Sequence, residues 1–346
     1  MSDSLTTPIS ATEQVLAVLP DYVSDVDVSP DGRHTVAGSV SGHVCIAGAD
    51  GEPRIIEAHD GDVVRAKWSP SGQVLASCGI DGALRIWDRS GSMVAEARHK
   101  GWATDLAWRT SGDEVAAGIG RHVVRLLANG MKTVQHEELP ATVECVTWSK
   151  DGRRLFAGHY GGVTMLQGSA KPVKTFRWKG APLAVAASPD GKWVVTGNQD
   201  ASLHVWKVAD GSELQMTGFS TKVLLIAWSH NSQRLANAAM NEISEWDFSG
   251  RGPKGSKPIG MLGHSERITG LGYSPTDHTI LGSVATDGSV CLWRPAKRGK
   301  SMLHSHQTRH VLSTMVWSPT SPRMICGTSN GEVVSLTFEE KSEKGS

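Results

Sequence analysis

Three histidines cluster in the run Leu-His-Ser-His-Gln-Thr-Arg-His at 303–310. His304 and His306 alternate, so on a β-strand their rings would point to the same side, and His310 follows four residues later. Imidazole nitrogens are ligands for zinc and other borderline metals. Because no carboxylate or thiolate lies nearby in the sequence, we predict that these are exposed histidines of an outer strand and that the chain binds no metal.

Carboxylates recur at the starts of strand-like segments, at Asp25, Asp62, Asp105 and Glu144. A ring of such groups could serve catalysis or bind a cation. However, the chain has no DxDxDG calcium loop, no GxSxG nucleophile elbow and no Walker A sequence, and no helical pattern follows the Gly-Ile-Gly run at 118–120. We therefore predict no catalysis, no cofactor and no small-molecule substrate. The alternative is a hydrolase or lyase that uses the carboxylate ring.

Two connections concentrate positive charge, at 249–259 and 294–300. Their cations are Arg251, Lys254, Lys257, Arg294, Lys297, Arg298 and Lys300. If both connections emerge on one face, these side chains form a basic patch for an anionic partner, either an acidic protein surface or a nucleic-acid backbone. Nucleic acid is the weaker possibility because no aromatic residue interleaves the cations to stack on bases. The alternative is that the basic loops only solubilise the surface.

An internal repeat sets the elements that position these residues. A phrase of apolar residues followed by Trp, Ser, Pro, any residue and Gly returns in variant form along the chain, for example as VRAKWSPSG at 64–72 and LAVAASPDG at 183–191. The residue before the Ser position falls at Val28, Trp68, Trp108, Trp148, Ala187, Trp228, Tyr273 and Trp317. These eight units are spaced by 39 to 45 residues, which is typical of propeller blades.

Each unit has strand character throughout. In the second unit, apolar segments at 63–68, 74–78, 83–87 and 93–97 are separated by turns rich in Gly, Ser, Pro and Asp. No helical periodicity is present. Short strands joined by short turns predict one four-stranded blade per unit.

The chain resembles the WD40-repeat family over residues 12–338. The motifs that carry the resemblance are the Ser-Pro-Asp-Gly turns at 29–32 and 188–191, the Trp-Asp pairs at 87–88 and 246–247, and the Gly-His at 263–264. The resemblance implies an all-β propeller that acts as a scaffold or adaptor for other proteins, as part of a complex. It also implies that partners bind on the narrower face at the loops that hold His59, Trp102 and His264, and on the opposite face at the basic loops.

The resemblance further implies a hydrogen-bonded tetrad of His, Ser or Thr, Asp and Trp in a blade. Two units carry complete sets: His59, Ser77, Asp81 and Trp87, and then His264, Ser283, Asp287 and Trp293. The fifth unit has Thr196, Asp200 and Trp206, but Trp178 stands in place of the His. Where the Asp is expected, other units carry Arg121, Tyr160 and Met240. We expect those blades to be held mainly by packing.

Ring closure decides the number of blades. The last unit has strand-like segments only at 312–317, 323–327 and 332–338, and the segment EQVLAVL at 13–19 has the length and character to supply its missing outer strand. We predict eight blades closed by an N-terminal strand, with seven blades as the alternative. The predicted organisation is a tail at 1–11, one propeller domain at 12–338 and a polar tail at 339–346.

Nine of the twelve tryptophans share two repeat positions, which indicates blade core. The other three are Trp102, Trp178 and Trp193. Trp102 and Trp178 lie in loops that lead into first strands, so we predict that they are anchors for a partner. The alternative for both is local packing.

Composition excludes several classes of function. Lys+Arg and Asp+Glu both total 35, so no global charge favours nucleic acid or membrane. No segment has the length of apolar sequence that a membrane helix needs, and the first residues lack a signal-peptide pattern. The five dispersed cysteines predict buried free thiols. We expect a soluble cytoplasmic protein without membrane contact.

Overall fold

The computed structural model describes residues 9–48, 51–131, 133–135, 138–168, 171–250, 252–295 and 301–340. These residues form eight four-stranded antiparallel sheets, and no helix occurs among them. The innermost strand of each sheet contacts that of the next sheet, and the last contacts the first. The molecule is therefore an eight-bladed propeller, and the predicted fold class and blade number are confirmed.

The first four blades each run outward from the channel in chain order. Blade 1 contains β2 (Val23–Val28), β3 (His34–Ser39), β4 (His43–Gly48) and β5 (Arg54–Glu57). Blade 2 contains β6 (Val63–Trp68), β7 (Val74–Gly79), β8 (Ala83–Asp88) and β9 (Met93–Arg98). Blade 3 contains β10 (Ala103–Trp108), β11 (Glu114–Ile119), β12 (His122–Leu127) and β13 (Thr133–Gln135). Blade 4 contains β14 (Val143–Trp148), β15 (Leu155–His159), β16 (Gly162–Leu166) and β17 (Pro172–Arg177).

The remaining blades follow the same order except at the closure. Blade 5 contains β18 (Pro182–Ala187), β19 (Trp193–Asn198), β20 (Leu203–Lys207) and β21 (Glu213–Met216). Blade 6 contains β22 (Leu225–Trp228), β23 (Arg234–Ala239), β24 (Glu242–Asp247) and β25 (Ile259–Leu262). Blade 7 contains β26 (Ile268–Tyr273), β27 (Leu281–Ala285), β28 (Ser289–Trp293) and β29 (Met302–Gln307). Blade 8 contains β30 (Leu312–Trp317), β31 (Arg323–Thr328), β32 (Glu332–Glu340) and, as its outer strand, β1 (Ile9–Val18).

The closure is longer than the sequence indicates. β1 pairs antiparallel with β32 from Ile9 opposite Glu340 to Val18 opposite Glu332, with a bulge between Val15 and Ala17. The strands thus extend beyond both predicted domain boundaries, because residues 9–11 and 339–340 supply each other's backbone hydrogen bonds. N-terminal closure gives β32 an antiparallel partner on its outer side and completes the four strands of blade 8.

The turn between the first and second strands is fixed by local chemistry. In blade 1, Ser29 Oγ accepts the His34 N–H at 2.9 Å and donates to Asp31 Oδ1 at 2.5 Å. Gly32 adopts φ +73°, and a Cβ there would lie 2.1 Å from Thr320 Oγ1 of the neighbouring blade. Glycine meets both requirements in blade 1, which accounts for its recurrence in this turn, whereas blade 6 has Ser232 at the same position with φ +62°.

Tryptophans at the ends of inner strands tie neighbouring blades together. Trp108 Nε1 donates to the carbonyl of Lys67 at 3.0 Å, and Trp148 Nε1 donates to that of Ala107 at 3.2 Å. Trp317 makes the equivalent bond. These side chains belong to the core between blades, as their shared repeat position predicts.

Two faces result from this topology. We call the face with the inter-blade loops and the turns between second and third strands the loop face, and the opposite one, with the Ser-Pro-x-Gly turns, the turn face. The five cysteines are buried and free. Within the described residues, no helix is long and apolar enough to cross a membrane.

Candidate docking surface around the channel

The first predicted tetrad forms a continuous network in blade 2. His59 Nε2 lies 2.7 Å from Ser77 Oγ, and His59 Nδ1 lies 2.9 Å from Asp81 Oδ1. The indole N–H of Trp87 donates to the same Ser77 Oγ at 2.9 Å. Burial opposes ionisation of Asp81, but hydrogen bonds from His59 and Arg85 hold the pKa of Asp81 well below its usual range. The network fixes the loop before β6 to its own blade.

The second set departs from the arrangement that the family resemblance implies. His264 Nε2 lies 2.6 Å from Ser283 Oγ, which also accepts the indole N–H of Trp293. His264 Nδ1, however, lies 2.5 Å from Ser289 Oγ, and that hydroxyl donates to Asp287. The direct His264–Asp287 bond is therefore replaced by a relay. Blade 2 has alanine at the position of Ser289, so no hydroxyl intervenes there.

Blade 5 is held by ring stacking instead of a tetrad. Trp178, in the place of the His, is half-buried, with its ring centroid 5.1 Å from that of His204. His204 stacks at 4.4 Å on Trp206, whose indole N–H donates to Glu213 rather than to Thr196. Trp178 therefore contributes to local packing through its contact with His204, and its role as a partner anchor stays a prediction.

Exposed apolar side chains lie on the loop face, in the loop before blade 3 and in turns of blades 4 and 6. Trp102 is 72% exposed, Tyr160 is 56% exposed and Met240 is 47% exposed. The backbone of Trp102 is fixed, because its carbonyl accepts the Gly120 N–H at 3.0 Å. We call these three side chains the loop-face mouth. Sequence reasoning marked Tyr160 and Met240 only as lost tetrad positions, although a large apolar residue at a surface turn also signals a contact.

The loop face carries exposed charges of both signs. Exposed cations stand on blades 3 to 6 or on the loops that lead into them, at Lys100, Arg121, Lys179 and Lys222. Exposed carboxylates stand on the loops before blades 1 and 2, at Asp21, Asp60 and Asp62, and also among the cations, at Glu138, Asp200 and Glu242. Arg121 is paired with Glu138 at 3.2 Å.

Comparison with known families agrees with this architecture. The model of the WD domain, G-beta repeat, matches residues 13–46, 52–88, 170–207 and 256–294. The chain belongs to the WD40-repeat family. The four matched segments include the two units with complete tetrads, together with the Trp-Asp pair at 87–88 and the Gly-His motif at 263–264.

Several curated WD40 relatives are similar along much of the chain. A WD repeat-containing protein, WDS homolog, of Arabidopsis thaliana is 22% identical, with 97% of this chain and 59% of that protein aligned. The WD repeat-containing protein slp1 of Schizosaccharomyces pombe is 25% identical, with 67% and 49% aligned. Protein FIZZY-RELATED 3 of Arabidopsis thaliana is 25% identical, with 67% and 50% aligned. The chain thus spans about half the length of these relatives.

Among solved structures, the computationally designed Ika8 protein superposes on this WD40 chain with a TM-score of 0.78. The alignment covers 93% of this chain and 98% of the designed one at 17% identity. A likeness at that identity concerns the fold alone.

The carboxylates that were predicted to line the channel do not all have the same role in the structure. Asp25 accepts the Ala66 N–H at 3.0 Å and lies 2.8 Å from Lys67 Nζ. Asp105 accepts the Val146 N–H at 2.9 Å. Both therefore bridge neighbouring inner strands. Asp62 is instead exposed on the loop face. Burial raises the pKa of Glu144 above its usual range.

The histidine run at 303–310 lies against β1 and β32, and the structure corrects one prediction about it. His310 is buried rather than exposed, with Nε2 2.8 Å from Glu13 Oε1 and Nδ1 2.8 Å from Glu332 Oε2. His304 and His306 are half-buried on β29. The carboxylates come from β1 and β32, far from the run in sequence but adjacent in space. Over the residues that the structure describes, no group of three or more His, Cys, Asp or Glu is arranged to bind a metal ion.

The basic connections emerge on the turn face. Lys254 and Lys257 are exposed, and Arg294 lies 3.5 Å from Asp277. The other four predicted cations lie outside the described residues: Arg251, Lys297, Arg298 and Lys300.

Proposed function

We propose that this chain is a protein-interaction adaptor whose main partner binds at the loop-face mouth. The observation that carries the proposal is Trp102, a tryptophan 72% exposed on a backbone that strand pairing holds in place. Exposed aromatic anchors on rigid scaffolds are typical of interaction hot spots. WD40 relatives support the class of function but not the partner.

The proposal includes no catalytic step. Two of the four carboxylates on which a channel enzyme would depend, Asp25 and Asp105, already accept backbone N–H groups of the next blade. A carboxylate used in this way has a structural task, and ionising or protonating it during turnover would disturb the ring.

The test is affinity purification from the native source with quantitative mass spectrometry. We expect partners to be lost from a Trp102→Ala, Tyr160→Ala double variant and kept by a Leu262→Ala variant. Leu262 is a matched control because it is 68% exposed but lies on an outer strand. Equal recovery from the mouth variant and the control would contradict the proposal.

A second surface is proposed for an anionic partner at connections 249–259 and 294–300. The exposed side chains of Lys254 and Lys257 favour it. We expect retention on heparin that falls steeply with salt and is lost when the cations of both connections become Ser. Unchanged retention would reject this surface.

A further inference from the structure

A concave apolar surface lies at the turn-face end of the channel, away from the loop-face mouth. It encloses about 530 Å³ and is lined by the prolines of four consecutive blades, Pro275, Pro319, Pro30 and Pro70. Leu271, Met315 and Val316 of the inner strands form its wall. We call this surface the proline bowl. Rings without rotatable side chains lose almost no conformational entropy when a ligand covers them.

The opposite rim of the channel, on the same turn face, carries polar and charged side chains. The turn position that holds proline in the bowl holds Thr110, Lys150, Pro189 and His230 in blades 3 to 6. Lys150 is exposed, and the His230 ring stands 4.2 Å from that of His278. Burial, the neighbouring His278 and the Lys150 charge together hold the pKa of His230 below its usual value. Lys150 is thus an exposed cation of this rim, beside the paired rings of His230 and His278.

The acidic groups nearby are engaged. Asp27, at the bowl, accepts the Trp68 N–H at 2.8 Å and faces the Lys67 ammonium. Asp151 accepts from Ser149 and from the Arg153 backbone. Asp277 accepts from Thr279 and lies 3.5 Å from Arg294. These bonds leave the rim charge of Lys150 open to an outside anion.

We propose that the proline bowl binds an extended acidic segment of a partner protein, with large apolar side chains in the bowl and a carboxylate several residues away at the Lys150 rim. The bowl has the volume of a few side chains rather than of a whole interface, so a short segment fits it better than a globular surface does. Charge complementarity selects Asp and Glu at that rim. This surface is separate from the loop-face mouth and would add a second docking point to an adaptor.

The test begins with selection of random twelve-residue peptides on the immobilised full chain. Selected peptides are then labelled with fluorescein and their affinities measured by fluorescence anisotropy. We expect a family in which a Leu, Ile, Phe or Met is followed or preceded, several residues away, by Asp or Glu. We also expect its affinity to fall about tenfold or more in a Pro30→Thr, Pro319→Thr double variant, because apolar burial is lost.

The chain supplies matched controls for that measurement. Pro189→Thr changes the same turn position in blade 5, outside the bowl, and should leave the affinity unchanged. Lys150→Thr should weaken binding and reduce its dependence on salt, whereas Thr110→Lys should strengthen it. Threonine already occupies this turn position in blade 3, so the variants should fold, and circular dichroism with a thermal melt checks this.

Other outcomes are decisive as well. Selection that yields no apolar-acidic family, or a family that binds the double variant as tightly as the unchanged chain, would overturn the proposal. Enrichment of Lys- and Arg-rich peptides, or displacement by a single-stranded oligonucleotide but not by unlabelled peptide, would do the same. A Trp102→Ala variant should bind the peptides normally, so failure here is separate from failure at the loop-face mouth.

Discussion

Ser77 and Thr196 occupy equivalent positions on the second strands of blades 2 and 5, yet only Ser77 has partners. Its hydroxyl is shared between His59 Nε2 and Trp87 Nε1, whereas the buried Thr196 Oγ1 has no hydrogen-bond partner. Two differences remove the partners of Thr196: Trp206 donates to Glu213 instead, and the histidine is missing. Trp178 replaces the histidine that would reach the hydroxyl.

We predict opposite outcomes for removing these two hydroxyls. Ser77→Ala should lower the free energy of unfolding by about 2–4 kcal/mol, because two buried groups lose their partner. Thr196→Val should be neutral or slightly stabilising, since it removes an unsatisfied polar atom without changing shape. Urea unfolding followed by tryptophan fluorescence measures both, and equal losses would contradict the role assigned to the network.

Asp27 makes the stability of the ring depend on pH. Burial in the channel wall raises the pKa of Asp27 from 3.8 to about 6, against the lowering effects of Lys67 and the Trp68 N–H. The folded state therefore retains this proton more strongly than the unfolded chain does. Its stabilising contribution is complete below about pH 4 and is lost as the pH rises through 6.

The Asp27→Asn variant should show this directly. Relative to the unchanged chain, its free energy of unfolding should rise between pH 4 and pH 7 by something on the order of 1–3 kcal/mol. Asp31→Asn is the control with the opposite sign, because the Ser29 hydroxyl and the Arg33 N–H lower the pKa of Asp31. Urea unfolding at four pH values distinguishes them, and parallel curves would refute the assignment.

At the scale of elements, the seam between β1 and β32 combines strand pairing with a histidine–carboxylate contact. Glu13 on β1 reaches His310 in the loop between blades 7 and 8, and His310 also contacts Glu332 on β32. Both ring nitrogens of His310 lie 2.8 Å from carboxylate oxygens. The contact ties this loop to β1 and β32, which already pair with each other.

Removing Glu13 should therefore loosen the closing strand. Glu13→Ala should lower the free energy of unfolding by about 1–3 kcal/mol and accelerate amide exchange along β1. Gln14→Ala, exposed on the same strand, should do neither. Hydrogen exchange measured by mass spectrometry reports both variants, and unchanged protection of β1 in Glu13→Ala would show that pairing with β32 suffices.

Sequence reasoning reached the elements better than the contacts between them. Blade number and closure were predictable because the eighth unit visibly lacks a strand and the segment before the first unit can supply it. The burial of His310 could not be predicted, since its partners lie 297 positions earlier and 22 positions later in the chain. Likewise, nothing in the spacing of His264 and Asp287 shows that Ser289 would stand between them.

At the scale of the whole molecule, closure within one blade predicts that the ring tolerates new ends elsewhere. Ile9 and Glu340 are paired neighbours on the turn face, so a short linker can join them. A permuted chain that begins and ends between β24 and β25 would close blade 6 in the same manner. We expect unchanged circular dichroism and a Tm within a few degrees.

The position of the cut is the control. New ends in the 70–72 turn would separate the inner strand β6 from the rest of its blade, where the channel-lining contacts are made, and should lower the Tm strongly. Thermal melts of both permuted chains decide the matter. Equal destabilisation by the two cuts would show that the site of closure in blade 8 is itself required.

The pairing of β1 with β32 also determines when the ring can close during biosynthesis. β1 is synthesised before the other described strands of the ring and its partner β32 after them, and at about 5–20 residues per second the interval is roughly 15–60 s. Throughout that time β1, which has an apolar side, has both of its edges unpaired. A ribosome that stalls within the last repeat would release a chain that cannot complete its ring, and quality control of the nascent chain would meet it as an open sheet.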